Sequence, residues 1–385
     1  MEQASDKVGR DKPRVAIVFA QFAPYHVDRI AAAAERLASL AEVLAVEVAD
    51  GSHTYAWKRS ADVPGARKAT LFANARYEDL AIAAKLRAIG TAVRECEVVL
   101  VGISYSDPAI IGLSWLWRAQ GKRVILMTES KADDAPRSPW RETGKRMLLG
   151  AYHAAIVGGP RQVAYLHLLG FGRRAVLTGY DTVGVARVRA LAMAVDEPPW
   201  DERPFLYVGR FVPKKNLHTL LEAYARYAAG AGHGARRLVL MGDGPLRAEL
   251  QRHAEQLGVS GRIDWPGFLD DADVAAMMAR ALALLLVSTT EQWGLVVNEA
   301  CAAGLPVIVS DIVGARETLV REGVTGFVVS ASDVRQIAER MQTVAADKAA
   351  WQAMHRASLA QAERGDVAHF ADAGAKLIAP ASAPR

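Results

Sequence analysis

The sequence predicts an α/β fold made of two doubly wound parallel sheets. Short apolar runs recur along the chain, and each is followed by a polar or glycine-containing loop and then by a helical stretch. This alternation is typical of buried parallel strands that are covered by helices on both faces. Because 385 residues exceed what one ordinary core accommodates, we predict two domains.

Five apolar runs in the first half predict the first sheet. These runs lie at residues 14–20, 43–48, 98–101, 123–127 and 154–157. Helices are predicted at 24–40, 80–94, from about 139, and at 161–169. Residues 51–77 show no clear period, and we expect an irregular segment near a cleft there.

Polar residues follow two of these strands, at the edge where sheets of this type hold their ligands. His26 and Arg29 lie on the first turn of the first helix, although His26 can equally be a helix cap or a solvated residue. Glu129 and Lys131 come directly after the fourth strand. We therefore regard these four residues as candidates for contact with a substrate.

A second series of strands and helices begins near residue 205. The apolar runs lie at 205–208, 237–241, 263–265, 281–287, 307–309 and 326–329. Residues 183–200 lack a pattern and end in Pro198-Pro199, so they are predicted to be a linker. We place the two domains at 1–184 and 185–365, and we expect a ligand between their carboxyl edges.

The second domain contains two carboxylates at a strand–loop–helix corner. Glu291 lies in the loop after the strand at 281–287, and Glu299 lies in the apolar helix that starts near Gly294. Glu299 is five residues beyond Gly294, roughly 7.5 Å along the axis. A carboxylate in this apolar setting carries a desolvation cost unless a partner binds it. A ligand hydroxyl and a structural ion pair both remain open as that partner.

Composition and charge exclude several classes of protein. The two cysteines, Cys96 and Cys301, have no His or Cys neighbours at ligand spacing, which fits a reducing compartment and no zinc site. Residues 1–12 lack the apolar core of a signal peptide, so a cytoplasmic location is expected. Residues 1–200 hold 27 Lys and Arg against 21 Asp and Glu, whereas residues 201–385 hold 20 against 21. The excess is scattered, without interleaved aromatics, so no nucleic-acid partner is predicted.

Two short motifs are weak when taken alone. Gly242-Asp243-Gly244 is half of a dinucleotide glycine fingerprint, but Arg247 stands where the third glycine belongs. Asp271-Ala272-Asp273 has the D-x-D form of some metal-dependent sugar transferases, but it lies at a helix start, where Asp caps free N–H groups. We therefore predict no metal.

The second half of the chain resembles the donor domain of retaining GT-B glycosyltransferases of the group one type. Five motifs stand in the order and approximate spacing of that family, which makes the combination much more specific than any one of them. The motifs are Val208-Gly209-Arg210 through Lys215-Asn216, Gly242-Asp243-Gly244-Pro245, Gly267-Phe268, the E-x7-E pair Glu291 and Glu299, and Gly314-Ala315-Arg316-Glu317. The first half matches only in its strand–helix pattern.

The resemblance implies a metal-independent transfer from a nucleoside-diphosphate sugar as co-substrate, with no bound cofactor and no enzyme nucleophile. Arg210 and Lys215 would bind the diphosphate, one through a fork of donors and the other as a point charge. Amides near Gly294 and Leu295 would add to that site. Glu299 would bind the ribose and Glu291 the transferred sugar. The remaining donor-side candidates are Gly209, Gly242, Asp243, Phe268 and Trp293, of which Gly242 and Phe268 would flank the base.

The resemblance leaves the acceptor side open. Many relatives carry a histidine where this chain has Glu129, so Glu129 is either an acceptor contact or a base. His26, Arg29 and Lys131 are the other acceptor-side candidates. A last helix at about 366–385 is expected to return to the first domain.

We predict a retaining glycosyltransferase that acts in the synthesis of a cell-surface polysaccharide, glycolipid or other glycoconjugate. The alternatives are a GT-B enzyme with different chemistry, such as an epimerase or a non-sugar coupling, and a non-catalytic nucleotide-sugar binder. The basic helix at 139–149 could contact an anionic membrane, or it could pack on the core with a solvated side.

Overall fold

A computed structural model of the chain describes residues 12–53 and 62–378. Its first sheet has seven parallel strands in the order β3-β2-β1-β4-β5-β6-β7. The strands are β1 Arg14–Phe19, β2 Glu42–Gly51, β3 Arg67–Arg76, β4 Val98–Val101, β5 Arg123–Thr128, β6 Ala154–Val157 and β7 Val176–Thr178. The order reverses beside β1, so the loops after β1 and β4 open towards each other at the carboxyl edge.

Helices cover both faces of this sheet. They are α1 Pro24–Leu37, α2 Ile82–Ala92, α3 Pro108–Ala119, α4 Pro139–Leu149 and α5 Pro160–Leu168. One core layer joins the sheet to α2, α3 and α5, and a second joins it to α1. The start of α3 shows why a helix begins there, because Asp107 accepts hydrogen bonds from the amides of Ala109 and Ile110.

The second sheet has six parallel strands in the order β10-β9-β8-β11-β12-β13. The strands are β8 Phe205–Val208, β9 Leu238–Met241, β10 Ile263–Gly267, β11 Ala283–Leu286, β12 Val307–Ser310 and β13 Gly326–Val329. Their helices are α6 Val185–Met193, α7 Leu217–Ala231, α8 Arg247–Gln256, α9 Asp271–Arg280, α10 Val296–Ala302, α11 Arg316–Leu319, α12 Val334–Ala346 and α13 Lys348–Gln361, and α14 Val367–Ile378 follows them. Single 3₁₀ turns lie at Tyr77–Asp79, Trp200–Glu202, Pro213–Lys215, Gly232–Gly234, Ser260–Arg262 and Ala362–Gly365.

The predicted fold class is confirmed, because both sheets are parallel and each carries helices on both faces. Three local predictions are wrong. The segment 51–77 contains the edge strand β3, and the short strand β7 was not anticipated. The predicted linker 183–200 contains α6, whose residues Val185, Val188 and Ala192 are buried against the second core. These elements are short or lie at an edge, so each gives too few apolar positions to show a period.

The chain returns to the first domain at its end. Helix α14 packs against α1, and Phe370, Ala373 and Leu377 belong to the core layer of α1. Residues 379–385 of the predicted last helix lie outside the described residues. The domain limits at 184 and 365 stay a prediction. In the described ranges, every helix is too short or too polar to cross a bilayer.

Candidate active site

The carboxyl edges of the two sheets face each other across direct contacts. On α5 of the first domain, Arg161 pairs with Glu317 at 2.6 Å and donates to the carbonyl of Asp311 at 3.2 Å. Its neighbour Gln162 donates to the carbonyl of Gln292 at 3.0 Å. The loops after β6, β11 and β12 therefore border one cleft. Glu317, in the last of the five sequence motifs, thus ties the two domains together.

Glycines allow the loops after β8, β9 and β10 to cross at van der Waals distance. Gly242 has φ +135°, and a Cβ placed there would lie 1.9 Å from the carbonyl oxygen of Gly209. Gly244 has φ +158°, and a Cβ there would meet the Phe211 backbone at 2.5 Å. These glycines are needed for backbone packing, because only glycine fits such a crossing. The result is a flat backbone surface at the sheet edge.

Lys215 and Glu291 form an ion pair at the floor of the cleft. The Glu291 carboxylate also accepts a hydrogen bond from Ser288 Oγ at 3.0 Å. Asn216 holds the lysine loop in a left-handed turn (φ +58°), donating from Nδ2 to the carbonyls of Val287 at 3.0 Å and Ala331 at 2.7 Å. The two residues predicted to share one ligand are thus adjacent, and each is held by its own loop.

Arg210 lies beside this pair. The hydroxyl of Tyr207 donates to the Arg210 carbonyl at 2.9 Å. Burial, followed by the nearby Glu291 carboxylate, raises the pKa of Tyr207 well above its usual range, whereas Arg210 opposes that change. The Tyr207 hydroxyl therefore stays protonated between Arg210 and Glu291. The Arg210 side chain is half-buried at the edge of the cleft.

The backbone amides of Gly294 and Leu295 lie at the start of α10. Neither donates a hydrogen bond to any residue in the described ranges. Gly294 has φ +96°, and a Cβ there would lie 3.0 Å from Leu286 and 3.4 Å from Glu291 Cγ. The turn that presents these amides therefore requires glycine. Unpaired amides at a helix start favour an anion.

Glu299 lies on α10 among charges from three other elements. Burial raises its pKa from 4.5 to about 7, Arg187 opposes the rise, and Asp271 and Asp28 add to it. Arg187 on α6 donates to Asp28 of the first domain at 2.9 Å and to Asp271 of α9 at 2.8 Å. Asp270, rather than Asp271, caps α9 by accepting from the Asp273 amide at 3.1 Å. The D-x-D motif therefore contributes to an ion-pair network, and its cap lies one residue earlier than predicted.

Trp293 has its side chain inside the domain interface, with only 2% of the residue exposed. Its Nε1 donates to Asn298 at 2.9 Å, and Asn298 donates in turn to the Asp181 carbonyl at 3.0 Å. The ring covers Gly158 and Gly159, where a Cβ would come within 2.7 and 2.9 Å of it. The geometry therefore gives the Trp293 side chain an interdomain packing role and no open face towards a ligand.

Phe268 is the reverse case, an aromatic side chain that is 58% exposed at the carboxyl end of β10. It follows Gly267, whose carbonyl accepts the Gly242 amide at 2.8 Å. Asp243 is exposed in the next loop, with its carboxylate on the Gly244 amide at 2.7 Å. Phe268 and the Gly242 backbone thus border one open surface.

The edge of the first domain contains a cluster of compensated charges. Asp181 and Arg29 are each 1% exposed, with Arg29 Nη2 4.0 Å from Asp181 Oδ1. Glu129 faces them from the end of β5. Burial raises the pKa of both carboxyl groups, and Arg29 opposes the rise in both. Glu129 adds to the rise at Asp181, and Glu291 and Asp134 add to the rise at Glu129. The pKa of Asp181 is raised the more, because it is the more deeply buried acid.

Arg29 is fixed in this cluster by its other neighbours. Its Nε donates to the Thr182 carbonyl at 2.9 Å, and its guanidinium lies 5.0 Å from the ring centroids of both Tyr25 and Tyr180. A planar guanidinium between two aromatic rings is well suited to burial. Arg29 therefore holds the cluster together instead of projecting into the open cleft.

His26 and Lys131 are also held by the fold. His26 Nδ1 accepts the Ala23 amide at 3.1 Å, and its ring stacks 4.0 Å from that of Phe19. Burial and Arg29 hold its pKa well below the usual range, so the imidazole is neutral with its proton on Nε2. Lys131 is fully buried and pairs with Asp133 at 2.8 Å. His26 is thus the helix cap that the sequence allowed.

The structure brings Arg210, Lys215, Glu291, Glu299, Gly294 and Leu295 to one edge, and Glu129 to the edge opposite. Sequence analysis did not identify Asp181 or Arg187. Asp181 follows β7, and Arg187 lies on α6, and neither element was predicted. A helical pattern at Val185, Val188 and Ala192 was the signal that could have identified Arg187. In residues 12–53 and 62–378, no three His, Cys, Asp or Glu side chains converge as a metal site.

Two facing Rossmann-like domains with a charged cleft between them define the GT-B class, and solved structures share this fold. Sucrose-phosphate synthase from Thermosynechococcus elongatus is similar with a TM-score of 0.71 and 20% identity, over 95% of this chain and 98% of that one. HepE from Anabaena in complex with UDP-glucose is similar with a TM-score of 0.69 and 17% identity, over 94% and 98%. At this identity the likeness shows the fold.

Sequence comparison finds a family match in the second half of the chain. Residues 192–364 match the family described as glycosyl transferases group 1. The lipopolysaccharide core biosynthesis glycosyltransferase LpsE of Rhizobium meliloti is 34% identical over 164 residues, which cover 43% of this chain and 46% of that protein. The chain spans less than half the length of the first curated relatives that it matches.

Proposed function

We propose that this protein transfers a sugar from a nucleoside-diphosphate sugar to an acceptor hydroxyl, with retention of the anomeric configuration. The observation that carries the proposal is the ion pair of Lys215 and Glu291 beside the amides of Gly294 and Leu295, which have no partner in the part of the chain that the structure describes. The cation and the two amide donors can bind a phosphate, and the carboxylate can accept hydrogen bonds from sugar hydroxyls. A ligand that joins a phosphate to a sugar therefore fits this sheet edge.

The phosphate part of the donor would lie against Lys215, Arg210 and the two amides. In this reaction the bond between the anomeric carbon and the phosphate oxygen breaks, so negative charge grows on the leaving diphosphate. Fixed donors aimed at growing charge are the most effective stabilisers, and one such donor contributes roughly 3 kcal/mol in comparable sites. These groups take the place that a metal would otherwise have, so we propose a metal-independent reaction with no bound cofactor.

The remaining parts of the donor would follow from that anchor. Glu291 would exchange its contact with Lys215 for hydroxyls of the transferred sugar. Glu299, further along α10, would accept from the ribose hydroxyls, while Phe268 and the backbone at Gly209, Gly242 and Asp243 would flank the base. Because Glu291 is held by Ser288 and Lys215, we assign it a binding role and no nucleophilic one.

The acceptor would enter from the first domain. Glu129 is the side chain there that faces Glu291, so it would contact the acceptor or the transferred sugar. Cell-surface polysaccharide or glycolipid synthesis is the setting we propose, in line with the name of LpsE. We also propose a cytoplasmic enzyme. The acceptor-side roles first given to Arg29 and Lys131 become structural in this proposal, because both are buried.

Ligand-induced stabilisation tests the donor. Thermal unfolding is measured with UDP-, GDP-, ADP- and TDP-sugars, starting with UDP-glucose, which HepE binds. A donor at a hundred times its dissociation constant should add about 2.7 kcal/mol to the free energy of unfolding. No stabilisation by any nucleoside diphosphate would exclude the proposal.

Product analysis then separates the alternatives. NMR of the product's anomeric proton distinguishes retention from inversion. An altered sugar formed from donor alone would indicate an epimerase, and binding without turnover across a broad acceptor panel would indicate a non-catalytic binder. Either result would replace the transferase proposal.

A further inference from the structure

Helix α4 turns its apolar side chains towards solvent. Of its 11 residues only Leu149 is buried, whereas Trp140 is 85% exposed and Met147 is 68% exposed. Residues seven apart on a helix project from the same side, so Trp140 and Met147 form one exposed stripe. The sequence allowed a core-facing helix or a membrane-facing one, and this burial pattern is opposite to that of a core-facing helix.

Three side chains from neighbouring helices extend the stripe. Trp115 and Leu116 on α3 are 44% and 50% exposed, and Leu168 at the end of α5 is 65% exposed. The Trp115 ring lies against Gly150, directly after α4, and Arg146 donates to the Leu168 carbonyl at 2.9 Å. The ends of α3, α4 and α5 are therefore adjacent. We call Trp115, Leu116, Trp140, Met147 and Leu168 the apolar patch.

Each helix that carries the apolar patch has a net positive charge. Helices α3 and α5 contain no Asp or Glu, and α4 contains only Glu142. That carboxylate is already occupied, because it accepts hydrogen bonds from Tyr165 at 2.7 Å and from Lys145 at 3.1 Å. Exposed cations on or beside these helices include Arg118, Arg141, Arg146 and Arg173.

We propose that the apolar patch and these arginines dock the first domain onto an anionic lipid bilayer. Tryptophan, leucine and methionine side chains would enter the boundary between headgroups and acyl chains, while the arginines would bind lipid phosphates. A second copy of the chain or a peptide would also cover apolar side chains. Neither explains why three adjacent helices carry only one carboxylate, and that one neutralised.

The docking surface adjoins the acceptor side of the cleft. Trp140 lies at the start of α4, and the loop 129–138 connects it to Glu129 at the carboxyl end of β5. A bilayer on this surface would bring lipid-anchored acceptors to the mouth of the cleft. This part of the inference rests on the proposed function, whereas the binding of vesicles does not.

Co-sedimentation of the full chain with vesicles tests the docking surface. We expect binding to an equal mixture of phosphatidylcholine and phosphatidylglycerol, weak binding to phosphatidylcholine alone, and loss of binding as salt is raised. Replacing both Trp140 and Met147 by Ser should lower partitioning roughly tenfold or more. Arg118→Gln and Arg141→Gln should each lower it roughly fivefold, as expected for one arginine near an anionic surface.

Met193→Ser is the matched control, because Met193 is 84% exposed on α6 of the other domain. Its vesicle binding should equal that of the unchanged protein. Equal binding to phosphatidylcholine alone, or unchanged binding of the Trp140 and Met147 variant, would overturn the proposal. Sedimentation showing a dimer that this variant abolishes would assign the patch to a second copy instead. Vesicle binding by a protein that binds no nucleotide sugar would defeat the proposed function alone.

Discussion

The two edges of the cleft use charged residues in opposite ways. At the first domain, Arg29 and Asp181 are buried against each other, with the partly buried Glu129 facing them, so their charges are offset locally. At the second domain, Lys215 and Glu291 pair inside the cleft with 14% and 12% of their side chains exposed, beside two amides that have no partner among the described residues. Buried charges must be compensated by their neighbours, whereas groups that exchange partners must stay accessible. The first edge is therefore expected to govern stability and the second to govern ligand binding.

Arg29→Met should give the largest effect, in stability. Removing one partner of a buried charge cluster leaves the others uncompensated, at a cost of roughly 3–5 kcal/mol. Because the pKa of Asp181 is raised in the fold, protonation relieves the cost, so the deficit should shrink as the pH falls. Urea unfolding at several pH values measures both effects.

Arg36→Met is the control for that experiment. Arg36 lies on the same helix, and its ion pair with Asp372 at 2.9 Å is half exposed on both sides. Its removal should cost at most about 1 kcal/mol. Equal losses of unfolding free energy in the two variants would show that the buried cluster stabilises the fold no more than an exposed ion pair does.

Lys215→Ala should give the next largest effect, in turnover. Loss of one fixed donor at a developing negative charge lowers kcat by roughly 10²–10³. The loss of stability should be smaller than for Arg29→Met, because the side chains of Lys215 and Glu291 keep 14% and 12% exposure, against 1% and 0% for Arg29 and Asp181. Steady-state kinetics with the donor found by thermal shift measures the loss.

Lys214→Ala is the matched control, since Lys214 is the adjacent, exposed lysine and contributes its backbone carbonyl to Thr289. Its kcat should stay near that of the unchanged protein. If both lysine variants retain full kcat, the phosphate site lies elsewhere.

Glu299→Gln separates stability from binding within one pH range. In the fold the pKa of Glu299 is about 7 against 4.5, a difference of roughly 3 kcal/mol. The stability it contributes is complete below pH 4.5 and is lost as the pH rises through about 7. Donor affinity should change in the opposite sense, because the ionised carboxylate is the better acceptor for ribose hydroxyls.

The measurements are urea unfolding and donor titration between pH 5 and pH 8, a range chosen to span about 7. The unchanged protein should lose stability and gain donor affinity across it, and Glu299→Gln should do neither. A donor affinity that does not vary with pH in the unchanged protein would remove Glu299 from the ribose site.

Arg187→Met should give the smallest effect. Arg187 holds down the pKa of Glu299, so its loss should move the midpoint of the donor titration to higher pH. The ion pairs of Arg187 with Asp28 and Asp271 are partly exposed, so the free energy of donor binding at neutral pH should change by about 1 kcal/mol or less. Arg189→Met is the control, because Arg189 lies on the same helix and pairs with Glu363 at 2.7 Å. A midpoint that moves equally in both variants would assign the change to α6 itself.

The sequence determined most of the second edge. Strand runs fixed the parallel sheets, and five motifs in order fixed the loops that carry Arg210, Lys215, Glu291 and Glu299. Those loops need particular residues because backbone crossings such as Gly209 with Gly242 admit no side chain. The local sequence is therefore enough to predict these loops.

The first edge was decided by tertiary structure. Asp181, Arg29 and Glu129 are far apart in the chain, and only the fold buries Asp181 against Arg29 and brings Glu129 to face them. The same holds for Trp293, whose exposure depends on Gly158 in the other domain, and for α4, whose apolar residues could face either way. Burial and charge compensation depend on which helices and strands pack together. The spacing of residues along the chain does not show which elements will be in contact.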